Sequence, residues 1–567
     1  MAYVLTDNII SPLGLTSDEC FAQVCAGKSG LRVYPAGGNV IPEAFCASLL
    51  DDDCVDRLHD EVGDTARSLS RFETIALASA QRAVAGCGVD FAQTRAVLIL
   101  STTKGAVEAA YGEERQLAAI AAMIADRLGI KSKPYVVCNA CVSGVSALTL
   151  ASRLLQRRAY DYAVVVGADC PHRFVVSGFQ SLKALSTEPC RPFDMERFGL
   201  NLGEAAATVV LSANPAGDKP QWSLTNGYSR NDAFHVSAPS KTAEGLYSSL
   251  TATLQGIDHE QLALISAHGT ATLFNDQMES VAVTRAGLTD VPVSALKGYF
   301  GHTLGAAGVV ETIITMRAVD NGTVPATRGF EELGVSGKVN ISASQRPTQK
   351  TAFVKMLSGF GGCNATILAE KTLKQPSEPV STDYDVTHTV SITPDGAIVD
   401  GKPLAVDTAG DPLLTAIYKQ HIGGYAKFYK MDSLCRLGFI ASELLLQAEA
   451  RGDEAKEGRA VVLFNRTSSA DSDRKYRESI ADDDYFPSPS VFVYTLPNIV
   501  TGEIAMRNGY HGETTFYIIP DRDDLQIDEA LRATLLDASI SSVITGWIDC
   551  SSADSYEAYM QIIERKI

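Results

Sequence analysis

Short apolar runs rich in β-branched residues alternate with longer segments rich in Ala and Leu in the first part of the chain. The run at 135–137 is Tyr-Val-Val, the segment 145–156 is rich in Ala and Leu, and the run at 162–166 is Tyr-Ala-Val-Val-Val. This strand–helix–strand order is typical of parallel α/β layers. The pattern therefore predicts an α/β fold.

One break in this pattern divides the chain. The stretch 371–383 contains two prolines and no periodic apolar positions, which is typical of a connecting segment. We therefore predict a domain at 1–370, a linker at 371–385 and a second domain at 386–567.

The second domain repeats part of the first. In each, a predicted helix leads to an apolar run, and a later helix leads to another run that ends near a Cys. The four pairs of landmarks are Arg71 with Arg436, 95–100 with 459–464, Ala147 with Ala530, and 164–170 with 543–550. Four landmarks in one order indicate a duplication, although the second copy has no counterpart of 260–370.

Composition narrows the class of protein. Lys and Arg number 49 against 67 Asp and Glu, a net charge of −18, which argues against a surface that coats nucleic acid. No run approaches the roughly 18 apolar residues of a membrane span, and the N-terminus lacks the basic start of a signal peptide. Twelve scattered Cys do not resemble a disulfide framework. We expect a cytoplasmic protein with reduced thiols and no membrane insertion.

The first candidate for chemistry is Cys141, where the run at 135–137 passes through small residues into the segment 145–156. Free backbone N–H groups and the positive end of a helix favour a thiolate at such a junction. Cys138 and Cys141 also form a C-x-x-C pair, but zinc would need two further ligands, and no second pair is visible. A lone Cys here is more often a buried structural residue.

Two histidines and two glycine-rich segments follow. His268 ends the apolar run 264–267 and precedes Gly-Thr-Ala-Thr, and His302 stands five residues after Lys297 in a glycine-rich segment. A His at a strand end is placed to act in a cleft, although a lone His is more often part of a core. The glycines of 358–365 let backbone amides approach a ligand closely, and 191–206 is a polar segment bounded by Pro and Gly.

Together these five motifs, in this order, resemble the β-ketoacyl-acyl carrier protein synthase family, specifically its Cys-His-His condensing enzymes. The resemblance covers about residues 1–370 and begins at Ser11-Pro12-Leu13-Gly14. It implies a thiolase fold, in which two similar halves form αβαβα layers, usually as a homodimer. The second domain resembles half of such a fold.

The resemblance also implies roles. Cys141 matches the nucleophile that accepts the acyl chain, His268 and His302 match the pair that assists malonyl decarboxylation, and Lys297 matches the lysine that supports this pair. Phe360 matches the gating Phe, and its backbone amide with that of Cys141 would form the oxyanion hole. The reaction is a decarboxylative Claisen condensation by an acyltransferase, in fatty acid, polyene or polyketide elongation, with no metal and no cofactor.

The sequence departs from the family at three positions. Ala271 replaces a usual Gly, Ser358 replaces a usual aromatic, and Cys363 stands where His or Thr is common. Aligning Thr501-Gly502 with Ser143-Gly144 places Ile499 opposite Cys141, so we interpret the second copy as a unit without the nucleophile. It would be structural or would bind a partner. Its sheet face would be covered either by the same chain or by another subunit.

An acyl carrier protein is the expected partner, with a second thiolase-fold subunit in a homodimer or heterodimer. Carrier proteins are acidic, so a local basic patch would steer them. The candidate docking residues are Arg67, Arg71, Arg127, Lys131 and Lys133. Two alternatives remain: a non-catalytic chain-length or scaffold partner, which would lack the nucleophile, and a thiolase, which the paired histidines oppose.

Overall fold

The computed structural model describes residues 1–37, 40–107, 116–373, 382–449, 457–482 and 484–566. We call 1–373 the N-terminal unit and 382–566 the C-terminal unit. Residues 374–381, the middle of the predicted linker, lie outside the described residues. None of the described helices is long and apolar enough to cross a lipid bilayer.

The strands follow the predicted apolar runs closely. In chain order they are β1 (Ala2–Ile10), β2 (Arg32–Tyr34), β3 (Phe45–Ser48), β4 (Ala96–Ser101), β5 (Tyr135–Val137), β6 (Tyr162–Asp169), β7 (Leu202–Gly203), β8 (Ala205–Ser212), β9 (Gln221–Asn231), β10 (Leu262–Ser266), β11 (Pro292–Ser294), β12 (Thr323–Val324), β13 (Asn340–Ile341), β14 (Arg346–Pro347), β15 (Ala352–Gly359), β16 (Cys363–Thr372), β17 (Tyr384–Thr393), β18 (Gly396–Val399), β19 (Lys402–Pro403), β20 (Arg459–Asn465), β21 (Thr514–Ile518), β22 (Ser542–Ser552) and β23 (Ser555–Arg565).

The helices lie between these strands. They are α1 (Ser17–Cys25), α2 (Asp52–Glu61), α3 (Arg71–Ala85), α4 (Leu117–Arg127), α5 (Ser143–Gln156), α6 (Arg173–Ser181), α7 (Glu244–Thr253), α8 (Leu273–Arg285), α9 (Lys297–Phe300), α10 (Ala307–Asp320), α11 (Leu413–Ile417), α12 (Ser433–Ala448), α13 (Ala470–Glu478), α14 (Pro489–Tyr494), α15 (Ile499–Asn508) and α16 (Asp524–Thr534).

Capping side chains set where the repeated helices begin. Helix α3 begins at Arg71, as predicted, because Ser70 and Glu73 exchange side-chain and backbone hydrogen bonds in a capping box. Helix α12 begins three residues before the predicted Arg436 because Asp432 accepts a hydrogen bond from the Cys435 N–H at 2.9 Å.

The N-terminal unit has five layers. One sheet has the strand order β5-β4-β6-β8-β1 and the other has β9-β16-β15-β10-β11-β13. Helices α5 and α10 contact both sheets and form the central layer, α3 and α4 cover the first sheet, and α7 covers the second. This is the duplicated αβαβα arrangement expected of a thiolase fold.

The C-terminal unit repeats the first of these sheets. Its strand order, β21-β20-β22-β23-β17, matches β5-β4-β6-β8-β1, and α12 and α15 pack on it as α3 and α4 pack on the first sheet. Strand β21 pairs antiparallel with β5, where Tyr517 lies opposite Val137. The two sheets therefore form one continuous sheet, in which β21 covers the edge that β5 would otherwise expose.

The order of strands and helices in the C-terminal unit corrects the predicted position that corresponds to Cys141. Helix α15, which begins at Ile499, lies before β21 as α4 lies before β5, so Ile499 is not opposite Cys141. The counterpart of the Cys141 turn is the segment 519–523 between β21 and α16, with the sequence Ile-Pro-Asp-Arg-Asp. The predicted alignment of Thr501-Gly502 with Ser143-Gly144 is wrong. Both segments contain a hydroxyl residue followed by Gly, but the first lies in the helix before β21 and the second begins the helix after β5. The corrected segment also has no thiol.

Buried ion pairs join the two units. Their closest N–O distances are 2.6 Å for Lys104 with Asp473, 2.7 Å for Arg153 with Glu513 and 2.6 Å for Arg230 with Asp537, and all six side chains are at most 9% exposed. The sheet face of the C-terminal unit was expected to be covered either by the same chain or by another subunit. In the structure, the same chain covers it. Helix α16 packs on α5, and its buried apolar side chains belong to the same core cluster as those on one face of the C-terminal sheet.

Candidate active site

Cys141 lies in the turn between β5 and α5, at the edge of a cavity of about 420 Å³. Ala140, immediately before it, has a φ of +49°, in the left-handed region that is costly for a residue with a side chain. Strain of this kind persists where the surroundings enforce it. The turn directs the Cys141 Sγ to within 3.0 Å of the His302 Nε2.

The hydrogen bonds of His302 fix its tautomer. The Leu304 N–H donates to the His302 Nδ1 at 3.2 Å, so this nitrogen is an acceptor in the neutral ring. The proton must then be on Nε2, which donates toward the Cys141 Sγ. His302 is 1% exposed, and its ring supplies a fixed N–H donor beside the Cys141 thiol.

A buried carboxylate holds the backbone of His268. The Glu279 Oε1 accepts from the His268 N–H at 2.6 Å and its Oε2 accepts from the Gly269 N–H at 2.7 Å. The rings of His268 and His302 lie 4.9 Å apart at an angle of 82°. Cys141, His268 and His302 therefore meet at one point, as the motifs predicted they would.

Lys297 belongs to a buried charge network that includes a second lysine. Its Nζ lies 2.7 Å from the Glu311 Oε1, and the Lys355 Nζ lies 2.5 Å from the Glu311 Oε2. Lys355 also donates to the backbone carbonyls of Ser266 and Ala267, just before His268. Glu311 thus bridges two buried lysines, and both lysines act on the two histidines electrostatically.

Burial and this charge set the protonation of the site. Desolvation, with Lys297 next in effect, holds the pKa values of His268 and His302 well below their usual range. Desolvation raises the pKa of Cys141 to about 12, although Lys297 acts in the opposite direction. Desolvation therefore opposes the thiolate that the helix end favours, and burial stabilises the neutral thiol.

The raised pKa of Cys141 predicts how the rate of its alkylation depends on pH. Iodoacetamide attacks only the thiolate, so its rate at Cys141 should rise about tenfold per pH unit from pH 6 to 9 and should not level off. Free cysteine, with a pKa of about 8.5, levels off in this range. Peptide mass mapping resolves Cys141 from the exposed Cys25. A plateau below pH 8 would contradict the neutral thiol.

The same three side chains are of metal-ligand type. The ligand atoms of Cys141, His268 and His302 lie within 4.8 Å of one another. The ammonium groups of Lys297 and Lys355, which act on both histidines, oppose a cation at this point. Cys138 does not join them: it is fully buried and its Sγ donates to the Thr103 carbonyl at 3.2 Å.

The loop after β15 packs closely against the backbone of Cys141. A Cβ added at Gly359 would lie 3.2 Å from the Cys141 backbone N and 3.3 Å from the Cys363 Sγ, closer than ordinary contacts. Phe360, the predicted gating residue, lines the cavity with Cys141, His268 and His302. Cys363 is buried, and its Sγ lies 3.2 Å from the Phe360 carbonyl oxygen.

The other two departures also have structural consequences. Ala271 has a φ of +61°, where glycine is favoured, so the family's usual Gly is replaced at a position of real strain. The Ser358 Oγ donates to the Asn364 Oδ1 at 2.7 Å, and the small serine leaves room in the cavity that an aromatic side chain would fill.

The predicted docking residues lie elsewhere on the surface, since none of the five lines the Cys141 cavity. Arg71 is paired with Glu204, with its Nε 2.5 Å from Oε1, and Lys133 is bound to Asp521 and Asp523 of the C-terminal unit. Arg67 is bound to Asp60. Arg127 and Lys131 are exposed. Docking through these residues stays a prediction, and Arg71 and Lys133 have internal partners that compete with it.

Sequence reasoning missed two residues around the site. Lys355 is a single charged residue inside the apolar strand β15, a pattern that indicates a buried functional lysine. Asn498, from the C-terminal unit, donates to the Phe360 carbonyl at 2.8 Å. Nothing in the local sequence signals that contact, because it joins segments 138 residues apart.

The family follows from comparison with known domains. The chain matches the N-terminal domain of β-ketoacyl synthases over residues 7–215 and the C-terminal domain over 223–331. The chain belongs to the β-ketoacyl synthase family. The predicted family is confirmed, and the two matched domains together cover most of the N-terminal unit.

The curated proteins to which the chain is similar include 3-oxoacyl-[acyl-carrier-protein] synthases. The chain is 31% identical to 3-oxoacyl-[acyl-carrier-protein] synthase 2 of Rhizobium meliloti over 269 residues, which are 44% of this chain and 64% of the relative. It is 26% identical to the synthase 2 of Coxiella burnetii over 402 residues, 64% of this chain and 96% of that protein. The chain therefore spans less than two thirds of the length of the Rhizobium protein.

Solved structures confirm the fold. The PfaC keto synthase–chain length factor aligns with 100% of this chain and 78% of its own, with a TM-score of 0.73 and 14% identity. The Xenorhabdus doucetiae ketosynthase ApeO, solved with its chain length factor ApeC, covers 65% of this chain and 98% of its own, with a TM-score of 0.57 and 24% identity. The structural similarity to the keto synthase–chain length factor therefore includes the C-terminal unit.

Proposed function

We propose that this protein is a β-ketoacyl-acyl carrier protein synthase that joins an acyl group to malonyl-acyl carrier protein by decarboxylative Claisen condensation. The observation that carries the proposal is the meeting of the Cys141 Sγ with the His302 Nε2 at 3.0 Å, with the His268 ring 4.9 Å from that of His302. A thiol nucleophile beside two neutral N–H donors is what this reaction requires.

In the first step, the Cys141 sulfur attacks the carbonyl of an acyl thioester. The new sulfur–carbon bond forms, the bond to the carrier breaks, and the thiol proton passes to the leaving carrier thiolate. The backbone amides of Cys141 and Phe360 would donate to the oxyanion that forms in this step. Gly359 permits the close approach that this needs.

In the second step, the malonyl thioester loses carbon dioxide. The electron pair of the broken carbon–carbon bond forms an enolate, whose oxygen accepts hydrogen bonds from His268 and His302. The enolate carbon then attacks the Cys141 thioester, a carbon–carbon bond forms and the sulfur–carbon bond breaks. The Cys141 thiolate that leaves takes up a proton from water, which restores the thiol for the next cycle. Neutral histidines suit this role because they donate N–H without first having to lose or gain a proton.

The C-terminal unit would take the place that a second thiolase-fold subunit has in a dimer. Its β21 occupies the edge of β5, and its Phe492 lies 5.5 Å from Phe179, a residue of the Cys141 cavity. A chain-length or scaffold role for the whole chain is disfavoured because Cys141 is present. The paired histidines disfavour a thiolase.

Intact-mass analysis tests the function. With acyl-carrier-protein thioesters of varied chain length, the protein should gain the mass of one acyl group at Cys141. Added malonyl-carrier protein should then remove that mass and release carbon dioxide and a β-ketoacyl product. Cys138→Ser is the matched control and should keep the adduct. An adduct on Cys138 that survives Cys141→Ser, or no adduct with any chain length, would overturn the proposal.

A further inference from the structure

The C-terminal unit reaches the loop that carries the second oxyanion amide. Asn498 stands immediately before α15 and is 1% exposed. Its Nδ2 donates to the Phe360 carbonyl at 2.8 Å. A side chain of the C-terminal unit is thus in direct contact with the backbone of the site.

The two units hold neighbouring residues of this loop. The Asn231 Nδ2 donates to the Gly361 carbonyl at 2.8 Å, and the Gly361 N–H donates to the Val236 carbonyl at 2.7 Å. Gly361 and Gly362 have φ values of +92° and +71°, a conformation that glycine readily leaves. The N-terminal unit therefore holds Gly361, while the Phe360 carbonyl accepts from Asn498 at 2.8 Å and from the Cys363 thiol, a weaker donor, at 3.2 Å.

The fit of α15 against the loop is close. A Cβ added at Gly502 would lie 2.5 Å from the Gly361 carbonyl oxygen, and one added at Gly361 would lie 2.7 Å from the Asn498 Nδ2. On the cavity side, the Phe360 ring stacks on Phe179 at 6.2 Å. Asn498 and Gly502 therefore support the loop from behind, opposite the cavity.

We propose that Asn498 is a positioning residue that fixes the peptide of Phe360, so that the C-terminal unit controls the oxyanion-forming backbone of the Cys141 site. The catalytic part of this inference rests on the proposed synthase function. Holding the Phe360 carbonyl constrains the peptide plane on one side of the residue, and the aromatic stack constrains its ring. The amide is then aimed before substrate arrives, which is where preorganisation lowers a barrier.

Two substitutions at Asn498 separate a donor from a packing role. Asn498→Ala removes the donor, and acylation of Cys141 should slow at least about tenfold, because displacement of a group at a reacting centre by an ångström has effects of this size or larger. Asn498→Asp keeps the shape but places a carboxylate oxygen against the carbonyl. Its acylation rate, divided by the wild-type rate at the same pH, should be lower than that of Asn498→Ala at pH 8 and should rise as the pH falls, since the protonated carboxyl can donate.

Other readouts guard against a general loss of structure. Alkylation of Cys141 by iodoacetamide forms no oxyanion, so its rate should stay within about twofold in both variants, whereas a misfolded site would change it. Asn508→Ala is the matched control, because among the described residues the partner of the Asn508 Nδ2 is the Ile504 carbonyl of the same helix, at 3.0 Å. It should acylate at the wild-type rate.

Hydrogen exchange tests the contact without any substrate. Peptides that cover 356–366 should exchange faster in Asn498→Ala than in the wild type or Asn508→Ala. Unchanged exchange, or wild-type acylation by both Asn498 variants, would overturn the inference. A wild type that accepts no acyl group would refute the synthase function, while faster exchange in Asn498→Ala would still support control of the loop by the C-terminal unit.

Discussion

His268→Ala and His302→Ala should each lose malonyl decarboxylation by at least about 100-fold, the scale of removing one preorganised donor to a developing oxyanion, while Cys141 is still acylated. The enolate charge appears only in the decarboxylation step, so a donor to it matters only there. Both rings are at most 2% exposed and neutral, so each acts as a fixed N–H donor.

The two variants should differ in one respect. His302 donates to the Cys141 sulfur and should slow acylation somewhat when removed, whereas no such hydrogen bond joins His268 to the nucleophile among the described contacts. Single-turnover acylation by intact mass and release of labelled carbon dioxide measure the two steps separately. The exposed His259 provides the control variant, His259→Ala. Equal losses in both steps, or normal decarboxylation in either variant, would refute the assignment.

The meeting of the three site residues could be predicted because each follows a strand. Cys141 comes after β5, His268 after β10 and His302 shortly after β11. Chemistry in layered α/β folds is placed at such strand ends. The motifs therefore predicted where in the fold the three residues lie as well as their residue types, and the structure brings the three residues together.

Protonation could not be predicted in the same way. The helix end beside Cys141 is visible in the sequence, but its effect competes with burial, which depends on everything packed around the thiol. Lys355 illustrates the difficulty: it lies 89 residues from the Ser266 carbonyl that it contacts. Its position within an apolar strand was a signal, but its partner Glu311 could be identified only in three dimensions.

The contact between the units was also hidden from the sequence. The four repeated landmarks correctly indicated a second copy of the sheet, and they left intramolecular and intermolecular cover open. The choice depends on pairs such as Arg153 with Glu513, which are 360 residues apart. Neither residue differs in type from those on any charged surface.

Asp473→Leu should destabilise the protein by about 3–5 kcal/mol, because it leaves the Lys104 ammonium buried without its counter-charge. The Lys104 Nζ lies 2.6 Å and 2.7 Å from the two oxygens of Asp473, and also donates to the Thr495 carbonyl at 2.5 Å. Both side chains are 6% exposed, so water cannot replace the lost partner. Lys104 is in the N-terminal unit and the other groups are in the C-terminal unit, so the loss falls on the contact between them.

The double variant Lys104→Met/Asp473→Leu should recover most of this stability, since a buried ion pair and an apolar pair of similar volume are often close in energy. Urea unfolding followed by tryptophan fluorescence suits the measurement, because the two tryptophans, Trp222 and Trp547, report on one unit each. Asp411→Ala, which breaks the exposed pair with Lys419, is the control and should change little. If Asp473→Leu unfolds at the wild-type urea concentration, or if the double variant is as unstable as the single one, the buried pair does not hold the two units together. A destabilised single variant with a recovered double variant would show that the charge is tolerated there only because each unit supplies half of the pair.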